Sequence, residues 1–206
     1  MPIKPWDGAK SRLHDDAAAR RALARAFAQD ALDAVLGCSA VGRVVVVTAG
    51  DEVSTYARGV GALALAEPDG GGRDPLDAAV REGVAWAHER HAAEPVAVIP
   101  ADLPSLTSDA LAALLDAATA HRLAFVPDAN GDGTTILTSL RPELLEAGYG
   151  PGSADRHRSY GAVELHAPAG LRRDVDEFHE LLEAQAIGLG PRTTAALEHI
   201  DNRASA

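Results

Sequence analysis

A single cysteine, Cys38, is all the thiol chemistry that this chain of 206 residues possesses. One cysteine cannot close an internal disulfide or build a cysteine-based zinc or iron–sulfur centre, and Cys38 reads as a small core residue. Aromatic residues are scarce as well, 4% against 47% hydrophobic residues overall, so the core has to be assembled from Ala, Val, Leu and Ile. Such a core suits helices laid on a parallel sheet. No run of 18 or more apolar residues occurs and no signal-peptide pattern opens the chain, so a soluble, cytoplasmic protein without a membrane partner is expected. Positive charge is also in short supply: a net charge of -11 argues against a nucleic-acid partner, since phosphate backbones are bound by basic surfaces. Any phosphate-bearing ligand has to be held locally. The histidines show no His-x-x-x-His spacing, which argues against zinc.

What is present fits one domain, residues 1–206, large enough to bury its core without staples. The Ala and Arg bias matches a GC-rich genome. Residues 1–5 read as the tail of a short strand, and a long helix follows over residues 15–36. Apolar, β-branched runs predict strands at 44–48, 62–66, 96–100, 123–126, 135–139, 163–165 and 171–175. Helices are expected at 51–59, 75–91, 108–120, 153–160 and 176–186, with a helical turn or two at 142–147. A Gly-rich loop is expected at 68–74, and a short helix with a frayed end in the tail 190–206. Strands alternating with helices mean an α/β fold, a mostly parallel, doubly wound sheet flanked by helices.

The segment Pro95-Val-Ala-Val-Ile-Pro-Ala-Asp-Leu-Pro-Ser-Leu-Thr107 is an apolar strand that stops at a carboxylate, Asp102, set between Pro100 and Pro104. Open α/β sheets bind ligands at the carboxyl ends of their strands, and the prolines stiffen the turn that carries the acid. Asp102 could instead shape the turn or cap the helix that follows. A second strand end carries Asp174-Val-Asp176. Carboxylates from two strand ends supply the hard oxygen ligands that Mg²⁺ prefers, with phosphate oxygens and waters completing the shell. Alternation along a strand puts Asp174 and Asp176 on one side, so either could face the ion, and Asp176 could equally cap a helix. Lys4, Lys10 and Arg12 form a basic cluster ahead of the first helix, either a solvated charge run or a means of neutralising a triphosphate. The loops 131–135 and 150–157 bring glycines, Ser153 and the basic residues Arg156, His157 and Arg158, which could hold a small anion or form a flexible loop with a capping serine.

At these residues the chain resembles the guanylyltransferases of coenzyme F420 biosynthesis, the family of 2-phospho-L-lactate and phosphoenolpyruvate guanylyltransferases. The matching stretches are Pro2-Ile-Lys-Pro, Ala9-Lys-Ser-Arg-Leu13, Ile99-Pro-Ala-Asp-Leu-Pro-Ser-Leu106, Gly131-Asp-Gly-Thr134, Gly150-Pro-Gly-Ser-Ala-Asp-Arg-His157, Gly161-Ala-Val-Glu-Leu165 and Leu171-Arg-Arg-Asp-Val-Asp176. Together they run in order along almost the whole chain. The resemblance implies a Rossmann-like nucleotidyltransferase fold, GTP as nucleotide and a phosphorylated three-carbon acid as acceptor. It implies Mg²⁺ on Asp102 and one or both of Asp174 and Asp176. Thr134, Gly150 and Ser153 would then hold the acceptor, with Lys10 and Arg12 in the phosphate-binding loop. Two departures stand out: the family has apolar residues ahead of Pro-x-Lys-Pro, so the first strand is expected to be short here, and Leu76-Asp77 replaces a Leu-Asn pair, placing a carboxylate near the expected nucleotide wall.

The resulting expectation is a Mg²⁺-dependent guanylyltransferase joining GMP to phosphoenolpyruvate or 2-phospho-L-lactate, with 3-phosphoglycerate a further acceptor. The actinobacterial look of the chain favours phosphoenolpyruvate. The rival readings are a nucleotidyltransferase for another acceptor, such as a molybdopterin or a sugar phosphate, and a non-catalytic GTP-binding protein. Every long helix has an apolar face that the sheet alone could cover, so oligomeric state is left open.

Overall fold

The computed structural model describes residues 1–7, 9–68 and 74–204. In chain order the elements are α1 (Ala17–Leu36), β1 (Val45–Thr48), α2 (Asp51–Gly59), β2 (Leu63–Ala66), α3 (Pro75–His91), β3 (Val96–Val98), α4 (Ser108–Ala118), β4 (Leu123–Pro127), β5 (Thr134–Ser139), α5 (Ser153–Ser159), β6 (Val163–Glu164), α6 (Phe178–Ile187) and α7 (Pro191–Ala204). Single 3-10 turns stand at Pro142–Leu144 and Ala169–Leu171. Of the expected Gly-rich loop, residues 69–73 lie outside the described residues.

Local chemistry sets the helix starts. The Asp16 carboxylate accepts from the Ala18 N–H, Asp74 accepts from Leu76 with Pro75 at the first helical position, and Thr107 accepts from Ala110. These side chains satisfy N–H groups that a helix leaves unpaired at its start. Glu177 and Glu180 form a capping box at α6. The capping alternative therefore falls for both acids: Thr107 rather than Asp102 caps α4, and Glu177 rather than Asp176 caps α6.

The strands form a parallel pair β1-β2 and a four-stranded sheet in the order β3-β5-β4-β6. β6 lies parallel to β4, whereas β5 is antiparallel to both of its neighbours, because the connection 128–133 is too short for a crossover and folds back as a hairpin. The short first strand reduces to one parallel bridge, Pro2 to Val47, and a cavity of about 400 Å³ lined by Val45, Val47, Val96 and Val98 lies where the sheet parts between β1 and β3. Alternation along β4 and β5 sends Val126 and Ile136 into one core with α1, α2 and α4, and Phe125 and Leu137 into another with α3 and α5. Helices thus cover both faces. A third cluster seats α6 and α7 on α1 through Leu23, Phe27, Leu181, Ala184 and Leu197, with Leu13 and Val175 buried among them.

One expected strand is absent. Residues 172–175 carry no ladder, because the turn at Ala169–Leu171 redirects the chain and Arg172 bonds the Pro127 and Asp128 carbonyls, so the segment crosses the strand ends instead of joining the sheet. Its contact with the neighbouring loop is the Val175 N–H on the Asp102 carbonyl, 3.0 Å. The strand alternation expected to put Asp174 and Asp176 on one side therefore does not apply.

Asp30, buried in the middle of α1, accepts from the Arg192 and Thr193 N–H groups at 3.1 and 2.8 Å and so caps α7 from outside it. Replacing Asp30 with Ala leaves two N–H groups unpaired, and urea unfolding should register a loss of ~1–2 kcal/mol, the usual cost of a lost cap.

Candidate active site

A cleft of about 510 Å³ opens at the carboxyl ends of the strands and is lined by Lys4, Lys10, Asp102, Asp174 and Asp176 together with Thr134, Gly150 and Ser153. The loops after β2, β3 and β4 supply Glu67, Asp102 and Asp128 to its wall, as expected where an open sheet feeds its loops to one edge. Of the residues that the resemblance assigns to nucleotide, acceptor or metal, together with Lys4, Arg12 alone is not part of the lining. It is 66% exposed at the rim, where it bonds Glu177 Oε1 at 2.8 Å and lies 3.5 Å from Asp176 Oδ2.

Lys10 sits in a left-handed backbone conformation, φ 57°, which non-glycine residues adopt at a cost and keep where surrounding contacts demand it. Its ammonium reaches Asp102 Oδ2 and Asp176 Oδ1, each at 2.7 Å. Burial favours the neutral amine, but the two carboxylates outweigh it, so the pKa of Lys10 is raised and the ammonium persists. Asp176 responds in the opposite sense. Burial disfavours its charge, and Lys10, followed by Arg12 and Lys4, overcomes that and lowers its pKa. Asp174 has no cationic partner among the described residues. Burial, and then the charges of Asp102, Asp128 and Asp176, push its pKa up to about 7. Two acids that look alike in the sequence are therefore electrostatically different. Among the described residues, no group of three or more His, Cys, Asp or Glu side chains is arranged to hold a metal ion unaided.

The other wall is organised by groups that sequence reasoning left without a role. The Asp128 carboxylate accepts from the Gly131, Asp132 and Gly133 N–H groups at 2.6, 3.1 and 2.9 Å. Gly133 is required there, since a Cβ would collide with Asp128 Oδ2. The spacing of an aspartate ahead of Gly131 and Gly133 is a turn signature that could have flagged Asp128. Asp132 then ties this turn to α5, its carboxylate accepting from the Gly152 N–H and its carbonyl from the Ala154 N–H, each at 3.0 Å. Thr134, Gly150 and Ser153 line the cleft together on this side.

The positive charge expected from Arg156, His157 and Arg158 is differently deployed. Arg156 turns its donors onto loop carbonyls, and Arg158 pairs with Asp155 and Glu164 at 2.6 Å each. His157 is fully buried and neutral. Burial, and then Arg156, lower its pKa to about 4. Its Nδ1 lies 2.8 Å from Thr134 Oγ1. Asp77 is not part of the cleft wall. It accepts from the Tyr149 N–H at 3.0 Å and pairs with Arg81, so this carboxylate acts on the loop that carries Tyr149 rather than facing the cleft.

Comparison with known proteins bears on what such a cleft does. The MobA-like NTP transferase domain matches residues 8–185. A protein of Streptomyces scabiei named phosphoenolpyruvate guanylyltransferase is 45% identical over 201 residues, 95% of this chain and 93% of that protein. Proteins of the same name from Streptomyces coelicolor and Mycolicibacterium gilvum are 44% and 39% identical over 95% and 96% of this chain and 92% of each relative. Among solved structures, a protein of Desulfovibrio desulfuricans G20 described as a nucleotide-diphospho-sugar transferase shares the fold, with a TM-score of 0.62, 15% identity, and 90% of this chain and 94% of that one covered. No described helix is long and apolar enough to cross a membrane.

The strained acid can be read out directly. A carboxyl with a raised folded-state pKa holds its proton longer in the folded chain, so it costs stability as pH climbs from about 4 through about 7. In metal-free buffer, Asp174→Asn should be more stable than the parent at pH 8, by a margin that shrinks on acidification and vanishes near pH 4. Urea unfolding across that range measures it.

Proposed function

The chain belongs to the MobA-like NTP transferase family, and on that premise we propose that it is a guanylyltransferase that joins GMP from GTP to phosphoenolpyruvate in coenzyme F420 biosynthesis, in the cytoplasm. The observation that carries this reading is a single cleft with a cation–carboxylate cluster on one wall and the Thr134, Gly150 and Ser153 loops on the other. Relatives that share some two-fifths of their residues over nearly the whole chain, each named for that activity, support the choice of acceptor.

In this reaction an oxygen of the acceptor's phosphate forms a bond to the α-phosphorus of GTP while the bond to the β-phosphate oxygen breaks. Pyrophosphate departs, and the acceptor is left joined to GMP through a diphosphate. A phosphate monoester is already an anionic nucleophile, so alignment and charge neutralisation matter more than a protein base. That is why no Ser-His-Asp arrangement is needed. Lys10 and Arg12, with Lys4 at the mouth, are the cations available to the triphosphate. In its absence Lys10 keeps Asp102 and Asp176 from repelling one another.

The hard carboxylate oxygens of Asp102, Asp174 and Asp176 are the donors that would hold Mg²⁺. Asp174, which has no cationic partner among the described residues, fits that role best. Two protein carboxylates suffice for a magnesium ion that also takes phosphate oxygens and waters. When bound, Mg²⁺ supplies neutralisation of the charge that grows on the α-phosphate and the leaving pyrophosphate. Thr134, Gly150 and Ser153 hold the acceptor's oxyanions.

Pyrophosphate release with GTP and Mg²⁺, run with phosphoenolpyruvate, 2-phospho-L-lactate, 3-phosphoglycerate or no acceptor, tests the reading. Release with phosphoenolpyruvate, abolished by chelation and restored by Mg²⁺, is the expected result. GTP binding without release in any arm would overturn it. In the same assay Asp102→Ala should lower kcat by ~10²-fold or more, comparable with removing one preorganised electrostatic contact. Turnover near that of the parent would remove Asp102 from the metal-binding role.

A further inference from the structure

α5 begins directly after the loop 148–152, and two of its neighbouring residues act on the cleft without lining it. The Arg156 guanidinium binds four successive carbonyls: Nε donates to Gly148 at 3.0 Å, Nη2 to Tyr149 at 2.8 Å and Gly150 at 3.1 Å, and Nη1 to Pro151 at 2.7 Å. Their oxygens are thereby committed to the helix side. The loop's N–H groups are committed more selectively. Tyr149 donates to Asp77, Gly152 to Asp132 and Ser153 to the Gly150 carbonyl, and Pro151 has none to give. Gly150, at φ 96°, keeps its N–H without an acceptor among the described residues. The Ser153 hydroxyl likewise has no acceptor among them.

Thr134 is the remaining polar group on this wall, and its hydroxyl meets His157 Nδ1. The imidazole is fully buried, and Nε2 has no hydrogen-bond partner, so a proton on Nε2 would be a buried donor left unpaired, whereas a proton on Nδ1 meets Thr134 Oγ1. The position of the ring proton decides what Thr134 can do. With the proton on Nδ1, His157 donates to Thr134 Oγ1, and the threonine's own proton is free for a ligand. With the proton on Nε2, Thr134 must donate inward and can offer a ligand only lone pairs.

We infer that Arg156 and His157 are positioning residues that turn the acceptor wall into a surface of donors only: Arg156 withdraws the loop carbonyls, and His157, protonated on Nδ1, frees the Thr134 proton. The Gly150 N–H, the Ser153 hydroxyl and the Thr134 hydroxyl then converge on one small oxyanion of the acceptor. This deepens the proposed reaction and rests on it for the acceptor's identity. It does not depend on turnover, because the donor arrangement exists in the protein before any substrate is bound. The backbone amide of Gly150 and the tautomer of His157 report it directly.

Nitrogen-15 NMR of the full chain should show His157 as the Nδ1–H tautomer. It should also show the Gly150 amide moving on titration with phosphoenolpyruvate. Pyruvate alone and inorganic phosphate alone, as separate titrants, tell which oxyanion is taken. An Nε2–H tautomer, or a Gly150 amide unmoved by all three, overturns the inference even if the protein turns over. Pyrophosphate silence in the parent enzyme bears on the reaction instead. Kinetically, His157→Phe and Arg156→Lys should each raise the KM for phosphoenolpyruvate ~10-fold or more, about the weight of one hydrogen bond to a charged group, with the KM for GTP within about twofold. His157→Asn, which can place an N–H near the position of Nδ1, should recover most of the loss. Equal rises in both KM values, or an Asn variant as impaired as the Phe variant, would reduce His157 to a structural role. Thr134→Val, which removes the hydroxyl that His157 orients, provides the same readout should the Phe variant fail to fold: the acceptor KM should rise ~10-fold or more with the KM for GTP within about twofold, and an unchanged acceptor KM would overturn the inference.

Discussion

Crowded negative charge at the strand ends is the constraint around which this protein is arranged. Asp102, Asp128, Asp174 and Asp176 converge there because an open sheet sends its loops to one edge. Carboxylates brought together in a partly buried place must be paired, hydrogen-bonded or protonated. All three solutions are in use. Asp102 and Asp176 share the Lys10 ammonium, Asp128 is wrapped by three backbone N–H groups, and Asp174 keeps its proton up to about pH 7. That leaves one carboxyl without a cationic partner among the described residues, beside a lysine shared by two others.

The core supports that arrangement from beneath. Leu13 and Val175 are fully buried in the same cluster, one just after Lys10 and Arg12, the other between Asp174 and Asp176. Packing these two apolar residues against α1, α6 and α7 sets the register in which lysine and aspartate meet. The Val175 N–H on the Asp102 carbonyl fixes the third member. The outer helices are thus more than a cover for the sheet, since they hold in place a segment that has no ladder of its own. Asp30, capping α7 from within α1, strengthens the same seam.

On the proposed reading, the opposite wall presents donors to an anion without an exposed cation. Asp128 and Asp132 collect the N–H groups that the turn does not need, and Arg156 collects the carbonyls. What is left facing the cleft is decided by subtraction. The same bookkeeping explains how a strongly acidic chain can receive phosphorylated substrates: attraction is confined to a few groups at one edge, while the rest of the surface is free to be negative.

Much of the fold is legible along the chain, because helix and strand periodicity, proline and N-cap residues act over a few residues. Pro75–His91 matches its expected bounds in full, and Asp102 is readable as a strand-end acid from the prolines beside it. Residues 171–175 mislead by the same logic. Their composition is that of a strand, but the Arg172 bonds to Pro127 and Asp128 draw them across the sheet edge. The amino-acid sequence by itself determined the α/β class, the candidate acids and bases and the glycines on which the loops depend, since all of these are properties of short stretches. Only the tertiary structure decided that the pKa of Asp176 is lowered while that of Asp174 is raised, that Arg156 serves carbonyls and that His157 is buried against Thr134. Burial and pairing are set by residues far apart in the chain, and a pKa or a donor's direction follows from those neighbours rather than from the residue type.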